Sequence, residues 1–378
     1  MMLDEKRGSI VLPPGVARYY MLTFISFLER GKIESTAVYG DRLEIRTTAG
    51  SVAELLAGGI SQATLTLKRY HERWKGVEIP ASGNDKKIFA SLMKRLSLPE
   101  GSSFLDALTA YSNELRSYKP QDTAAAFSRF GKGEFSLPSI FKPEQYALSR
   151  APFMKGKEKY DAKVNLDYFM ILLAGYVLSR CGRVKYEAGG GQQAWHTLHV
   201  FPYDIGANPL VFRRLVECLS QEEGWGLPPG LRPEEAVILW LAMLVPDDAP
   251  DIILVSMKDP GGQKAAEIGV SYYLPLGSFI ARSGRALRKI REDENASKFL
   301  RWLLQGALTP AVGDRVHDRA VELVKLLFIA LQGGELQRAE LLLRASRVEA
   351  SKIRQGERDE EYWVAYRGRV LAEKIASS

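Results

Sequence analysis

The sequence predicts an α+β fold, with a mixed α/β N-terminal body carrying small antiparallel hairpins and a helical-bundle C-terminal domain. Two observations carry that expectation. Short β-branched and aromatic runs alternate around glycine-centred turns at residues 37–47 and 183–201, and segments with helical spacing flank each. After Pro275 every segment has helical spacing, punctuated by Gly306, Gly313 and Gly333-Gly334. At 378 residues and 46% hydrophobic side chains, the chain is long enough for two or three domains, or for one domain with appendages.

In chain order, Val16–Leu28 reads as a helix with an aromatic-rich face, stopped by Gly31. Ala37–Tyr39, the pair Gly40-Asp41 and Leu43–Thr47 read as a hairpin. Two helices follow, Ser51–Gly58 and Ser61–Trp74, the first opened by a capping box of Ser51 and Glu54. Asp85–Leu96 and Phe104–Ser117 are amphipathic helices separated by Pro99-Glu100-Gly101. From Lys119 to Pro143, Pro120, Gly131, Gly133, Pro138 and Pro143 interrupt every candidate element, which predicts a long loop or linker. Its Phe127, Phe130, Phe135 and Phe141 are expected to pack against something.

Lys155, Lys157, Lys159 and Lys163 cluster ahead of a buried helix, Leu166–Leu178. Arg183–Glu187 and Ala194–Phe201 alternate like strands joined through Gly189-Gly190-Gly191. Helices at Pro209–Leu219 and Pro233–Leu244 precede short strands at Ile252–Ser256 and Ile268–Leu274. The tail reads as five helices: Phe279–Arg291, Ala296–Leu308, Arg315–Leu331, Glu335–Ala345 and Asp359–Lys374. The expected division is an N-terminal α+β region at 1–118, a loop or linker at 119–150, a central α+β region with the Gly-rich hairpin at 151–278, and a C-terminal helical domain at 279–378.

Cys181 and Cys218 can form neither a disulfide framework nor a CxxC zinc site, which points to a reducing cytoplasm. The charged start Met1–Arg7 lacks a signal sequence's apolar stretch, and the longest apolar run, Tyr168–Leu178, is about half a membrane span. No membrane association is expected. Only five asparagines occur, a depletion of thermolabile residues that fits a thermophile.

Net charge is +7, and residues 281–378 carry +5 of it, from 19 basic and 14 acidic side chains. Such a focused excess is the footprint of a polyanion contact. Its centre is one helical segment holding Arg282, Arg285, Arg288, Lys289 and Arg291. At 100° per residue, Arg282, Arg285, Arg288 and Lys289 fall within an arc of about 120°, while Phe279, Ala286, Leu287 and Ile290 fall opposite. A helix docked by its apolar stripe would offer that face to phosphates. The competing reading is a solvated face of i,i+4 pairs, since Glu292 follows Arg288 by four.

Two further candidates stand beside it. The Gly189–Gly191 tip is flanked by Arg183, Lys185, Gln192, Gln193, Trp195, His196 and His199, residue types that read base edges or wedge against bases. Lys185, Gly190 and Gln192 are its candidate contacts, and the alternative is a solvent hairpin. Lys68, Arg69 and Arg73, with His71, Trp74 and Lys75, could grip a phosphate backbone, or form the wet end of a helix.

Catalytic signatures are thin: there is no Walker phosphate loop, no G-x-S-x-G elbow and no H-E-x-x-H. His196 and His199 would point to opposite faces of a strand, without Cys, Asp or Glu to complete a metal site. His317-Asp318 is the only His-Asp pair, and it reads as an ordinary helix turn. No metal, no cofactor and no enzymatic activity are expected. The runner-up is a standalone nucleic-acid-processing or metabolic enzyme without a recognisable motif.

The layout as a whole resembles a known family. It combines the α+β opening with its Leu55–Gly59 helix end and Asp85–Leu96 helix, the Gly-rich hairpin Arg183–Phe201, and a helical tail with Phe328-Ile329-Ala330-Leu331-Gln332 and Leu341-Leu342-Leu343-Arg344-Ala345-Ser346. In this it is similar to the large subunit of the archaeal type I-A CRISPR surveillance (Cascade) complex, in its shorter second variant. The resemblance covers nearly the whole chain, without a short diagnostic string. It implies a non-catalytic role in antiviral defence: a subunit near the crRNA 5′ handle that helps recognise the protospacer-adjacent motif, opens the duplex and stabilises the R-loop. The implied partners are crRNA, target DNA, the backbone and small subunits, and a separate helicase and nuclease. No residue role carries over by motif.

Overall fold

The computed structural model describes residues 6–48, 50–73, 79–81, 83–119, 133–144, 163–188, 192–204, 209–220, 225–245, 248–258, 265–309, 315–333, 335–356 and 359–376. The fold is α+β with a helical C-terminal region. It forms two compact units, neither continuous in sequence. One comprises Met1–Arg180, His199–Pro209 and Val255–Gly269; the other comprises Cys181–Leu198, Leu210–Leu254 and Val270–Ser378. A four-stranded sheet is ordered β6 (Arg180–Ala188), β7 (Gln192–Pro202), β8 (Ile252–Lys258) and β9 (Glu267–Leu274).

In the first unit, β1 (Arg7–Val11), β3 (Arg42–Thr47) and β2 (Ile33–Tyr39) form an antiparallel sheet in that order. The expected hairpin is present: Tyr39 pairs with Arg42, and Gly40 turns between the strands at φ +61°, where glycine carries no steric cost. β1 was not expected from sequence, because its short run shows little alternation. Its pairing puts Ile10 opposite Leu43, and both are buried.

Helix α1 (Val16–Ser26) packs on a helix buried along its whole length, α5 (Leu166–Ser179). Gly175 permits the approach, since a Cβ there would sit 2.0 Å from the Tyr20 carbonyl oxygen. Around the buried Tyr20 ring, Phe141, Tyr176, His199 and Phe201 lie with centroids 5.3–5.8 Å away. The Asp167 carboxylate accepts the Tyr111 hydroxyl at 2.9 Å and the Tyr118 hydroxyl at 2.8 Å.

The segments expected as two helices at 51–74 are one, α2 (Val52–Arg73). Its capping box forms, Ser51 and Glu54 exchanging hydrogen bonds of 3.1 and 3.2 Å. The Gly58-Gly59 pair does not break the helix. A Cβ on Gly59 would come within 2.9 Å of the Phe24 ring of α1, so a helix–helix contact, not a turn, explains that residue.

Helices α3 (Gly83–Arg95) and α4 (Phe104–Arg116) follow. Part of the expected 119–143 loop is built into the core. β4 (Phe135–Ser136) pairs with β5 (Lys163–Val164), Phe135 and Phe141 are buried, and Ser139 gives both its N–H and hydroxyl to the buried Asp85 carboxylate at 3.1 and 2.6 Å. Phe127, Phe130, Lys155, Lys157 and Lys159 lie outside the described residues.

The second unit holds α6 (Pro209–Leu219, from its second residue), α7 (Glu234–Leu244), α8 (Leu276–Glu292), α9 (Glu294–Leu308), α10 (Arg315–Gln332), α11 (Glu335–Arg354) and α12 (Glu360–Ala376). Helix α11 runs nine residues beyond the expected end at Ala345. Contacts with α12 sustain the extension: Glu349 takes Arg369 at 2.6 Å, and Lys352 takes the α12 N-cap Asp359 at 2.8 Å. Among the described residues, no helix is long and apolar enough to cross a membrane.

Candidate nucleic-acid interface

Helix α8 is fixed at both ends and along its inner face. At its start, the Asp251 carboxylate accepts the Gly277 N–H at 3.0 Å and the Tyr273 hydroxyl at 2.8 Å, satisfying a donor that the helix itself cannot. A Cβ on Gly277 would lie 2.5 Å from the Ala249 carbonyl oxygen, so the backbone approach requires glycine. Leu276, Phe279, Ile280, Ser283, Ala286, Leu287 and Ile290 are buried, and Phe279 stacks on Phe328 at 5.0 Å and 3°. At its end, the Arg291 guanidinium donates to the Met243 and Ala242 carbonyls at 2.6 and 3.4 Å, closing the C-terminus of α7.

This geometry sorts the basic residues of one helix. Arg282, Arg285 and Arg288 are exposed, Lys289 is half-buried, and Arg291 is a structural clamp. The three exposed guanidiniums succeed one another at about 4.5 Å along the axis, about 9 Å in all, which is on the scale of two or three nucleotide steps of one strand. They stand on a helix whose inner face is buried and whose two ends are tied down, so the backbone that carries them pays little ordering entropy in a multivalent phosphate contact.

The other candidates are placed as follows. Lys68 and Arg69 are exposed in the last turns of α2, next to Leu67 and Tyr70, which are buried. The Tyr70 hydroxyl donates to the Arg180 carbonyl and anchors that end of the helix. Arg73 ends α2, and its side chain lies outside the described residues. Lys185 is on β6 and Gln192 opens β7, with side chains likewise outside, as is Gly190 altogether. Trp195, further along β7, is 55% exposed. Lys68 and Arg69 belong to the first unit and the α8 arginines to the second.

The histidines have structural employment. His196 and His199 are both buried. His199 Nδ1 lies 2.9 Å from the Ser179 hydroxyl, and burial first, then the Arg180 charge, pushes its imidazole well below the ordinary range. His317 Nδ1 lies 2.9 Å from the Gly306 carbonyl, which ties α10 to α9. Among the described residues, no three His, Cys, Asp or Glu side chains gather as a metal site.

The family model of CRISPR-associated protein CsaX matches residues 49–348, from the start of α2 into α11. The chain belongs to the CsaX family. No curated protein matches it. The matched span contains every basic candidate described above, so the α2 and α8 faces are features of its CsaX region. Membership makes this a CRISPR-associated protein whose role lies in CRISPR defence, alongside other CRISPR components.

Sequence reading found the α8 face through its helical spacing of arginine. The same spacing left Arg291 outside the arc of the other four, but its task of closing the C-terminus of α7 was hidden, because it depends on where α7 ends. Sequence reading also missed the Asp251 cap, 26 residues from the backbone it satisfies.

Proposed function

We propose that this CsaX-family chain is a non-catalytic, nucleic-acid-binding subunit of a CRISPR interference complex, equivalent to the type I-A large subunit in its shorter second variant. The observation that carries the proposal is the α8 face: three exposed arginines on a helix whose opposite face is buried and whose two ends are tied down. An arginine row of this kind grips phosphates without reading sequence. Guide pairing supplies sequence recognition in such complexes, while protein reads a short flanking motif and holds separated strands. In this reading α8 and the Lys68–Arg69 end of α2, with Arg73, hold backbone and stabilise the R-loop. The hairpin bearing Lys185, Gly190 and Gln192 reads the protospacer-adjacent motif. crRNA, target DNA, backbone and small subunits are the partners, and strand degradation belongs to a separate helicase and nuclease.

The test is purification of the tagged chain from its native host, with sequencing of bound RNA and incubation of the pure chain with labelled DNA, RNA and ATP in Mg²⁺ or Mn²⁺. The expected result is co-purified crRNA and CRISPR subunits, with no turnover by the isolated chain. Turnover abolished by a single Asp, Glu or His substitution would overturn the non-catalytic reading. Absence of crRNA would overturn the complex.

A further inference from the structure

Four aromatic rings and one guanidinium form a band across α9 and α12 of the second unit. Trp363 of α12 meets Tyr366 edge-on with centroids 5.8 Å apart, and Tyr366 meets Phe299 of α9 at 6.5 Å. Arg367 closes the band, 4.0 Å over the Trp302 ring and 5.5 Å from the Phe299 centroid. Phe299, Trp302, Tyr366 and Arg367 are half-buried, whereas Trp363 is 42% exposed. Two residues beyond Arg367, Arg369 gives its guanidinium to the carboxylates of Glu349 and Glu373, both at 2.6 Å. Among the described residues, Arg367 finds no carboxylate, hydroxyl or carbonyl to accept from it. Burial against the rings removes part of its water and lowers its pKa, with no hydrogen bond in return.

The surroundings decide which acceptor fits. A nucleic-acid strand needs a run of cations beside its stacking rings. Here one cation stands among four rings, and the exposed Glu360 lies one helical turn before Trp363. A base stacked on Trp363 would bring its phosphate toward that carboxylate. A protein segment meets no such conflict. Trp, Tyr and Arg together are the composition of interface centres, and a carboxylate matches the guanidinium fork in both shape and charge.

We infer that this band is a docking surface for another protein subunit, which sets an Asp or Glu carboxylate on Arg367 and an apolar side chain against Trp363. The inference rests on the reading of this chain as a subunit of a CRISPR complex, and it gives that subunit a protein-binding surface made of residues other than the α8 arginines. The partner's carboxylate supplies the acceptor that Arg367 lacks, and the rings exclude water from one side of the pair, which strengthens it.

The test titrates the labelled full chain with each protein encoded in the same CRISPR locus, purified singly, and repeats the series with Trp363→Ala, Arg367→Ala and Arg367→Lys. One locus protein is expected to bind wild type, and Trp363→Ala and Arg367→Ala are each expected to weaken it about 30-fold or more, the loss that marks an interface hot spot. Arg367→Lys keeps the charge over the rings, which guards against misfolding, but loses the fork and is expected to recover only part of the affinity. In the Arg367→Ala background, replacing the binder's contacting carboxylate by its amide is expected to cost nothing further. The variant Arg282→Ala/Arg285→Ala/Arg288→Ala is expected to bind that protein as wild type does. Locus proteins that bind wild type and the band variants alike would overturn the docking surface, while crRNA that still co-purifies would leave the subunit reading standing. Wild type that binds no locus protein would overturn the docking surface, and joined with absence of crRNA it would overturn both. Sedimentation of the chain alone and binding of labelled 12-mer single strands complete the test. Self-association lost in Trp363→Ala would make the band an interface between copies, and strand affinity lost in Trp363→Ala would make it a stacking platform; either result overturns the inference.

Discussion

The α8 face yields a number that can be checked directly. Replacing Arg282, Arg285 and Arg288 with Ala removes three exposed guanidiniums and leaves the Phe279–Phe328 stack, the Asp251 cap and the Arg291 clamp in place. Each phosphate contact contributes about 0.9 to the slope of log affinity against log salt on duplex DNA, and about 0.7 on a single strand. The triple variant should therefore lose about 2.7 from the duplex slope and about 2.1 from the single-strand slope. Over a fourfold rise in salt, from about 50 to about 200 mM, wild-type duplex affinity should fall about 40-fold further than that of the variant. Lys289 refines the prediction. Because its stem is half-buried, adding Lys289→Ala should lower the slope by less than one full contact. The assay is fluorescence anisotropy across a salt series, with thermal melts in parallel. Folding should change by no more than about 0.5 kcal/mol, as for exposed positions elsewhere. A triple variant with the wild-type slope and a wild-type melt would refute the reasoning and leave a solvated helix face.

Four further outcomes follow from the same contacts. Gly277→Ala should destabilise by about 1–3 kcal/mol in denaturant melts, because its Cβ meets the Ala249 carbonyl at 2.5 Å and the backbone must shift. Arg291→Ala should cost about 1–3 kcal/mol by leaving the Met243 carbonyl without its charged donor, yet keep the wild-type salt slope; a reduced slope would place Arg291 among the ligand contacts. Burial and then Arg180 depress the His199 pKa in the fold, so its contribution is fully present above the unfolded value of about 6.5 and is lost as pH falls below it, by up to about 1.4 kcal/mol per unit; His199→Phe should lack that acid slope in urea titrations. In a reconstituted complex, Gly190→Val, Lys185→Ala and Gln192→Ala should weaken duplexes with the correct flank, by about 1–3 kcal/mol per lost base contact, while guide-complementary single strands bind as before; retained flank preference in all three would place motif reading elsewhere.

The elements were legible where local periodicity decides them. The hairpin around Gly40 and the tail helices carry their own patterns, and the α8 stripe separates Arg282, Arg285 and Arg288 from Phe279 and Leu287 by angle alone. What was hidden depends on partners distant in sequence. The pair Gly58-Gly59 reads as a helix stop until Phe24 of α1 lies against Gly59, and β1 is a strand because β3 pairs with it. Ser139 looks like loop until Asp85, 54 residues away, takes its N–H.

The contrast among arginines decides how much weight the charge count deserves. Residues 281–378 carry +5, yet many of their cations are committed within the second unit. Arg369 pairs with Glu349 and Glu373, Arg344 with Glu322 and Glu340, Lys374 with Asp293, and Lys352 with Asp359. Arg367 lies over the Trp302 ring at 4.0 Å, and Arg291 caps α7. Paired cations gain little from a phosphate, because binding must first break or share an existing bond. The regional excess is therefore a poor map of binding strength. It follows that Arg344→Ala and Arg369→Ala, which remove as much formal charge as two α8 substitutions, should disturb the packing of α11 on its neighbours and leave the salt slope near its wild-type value.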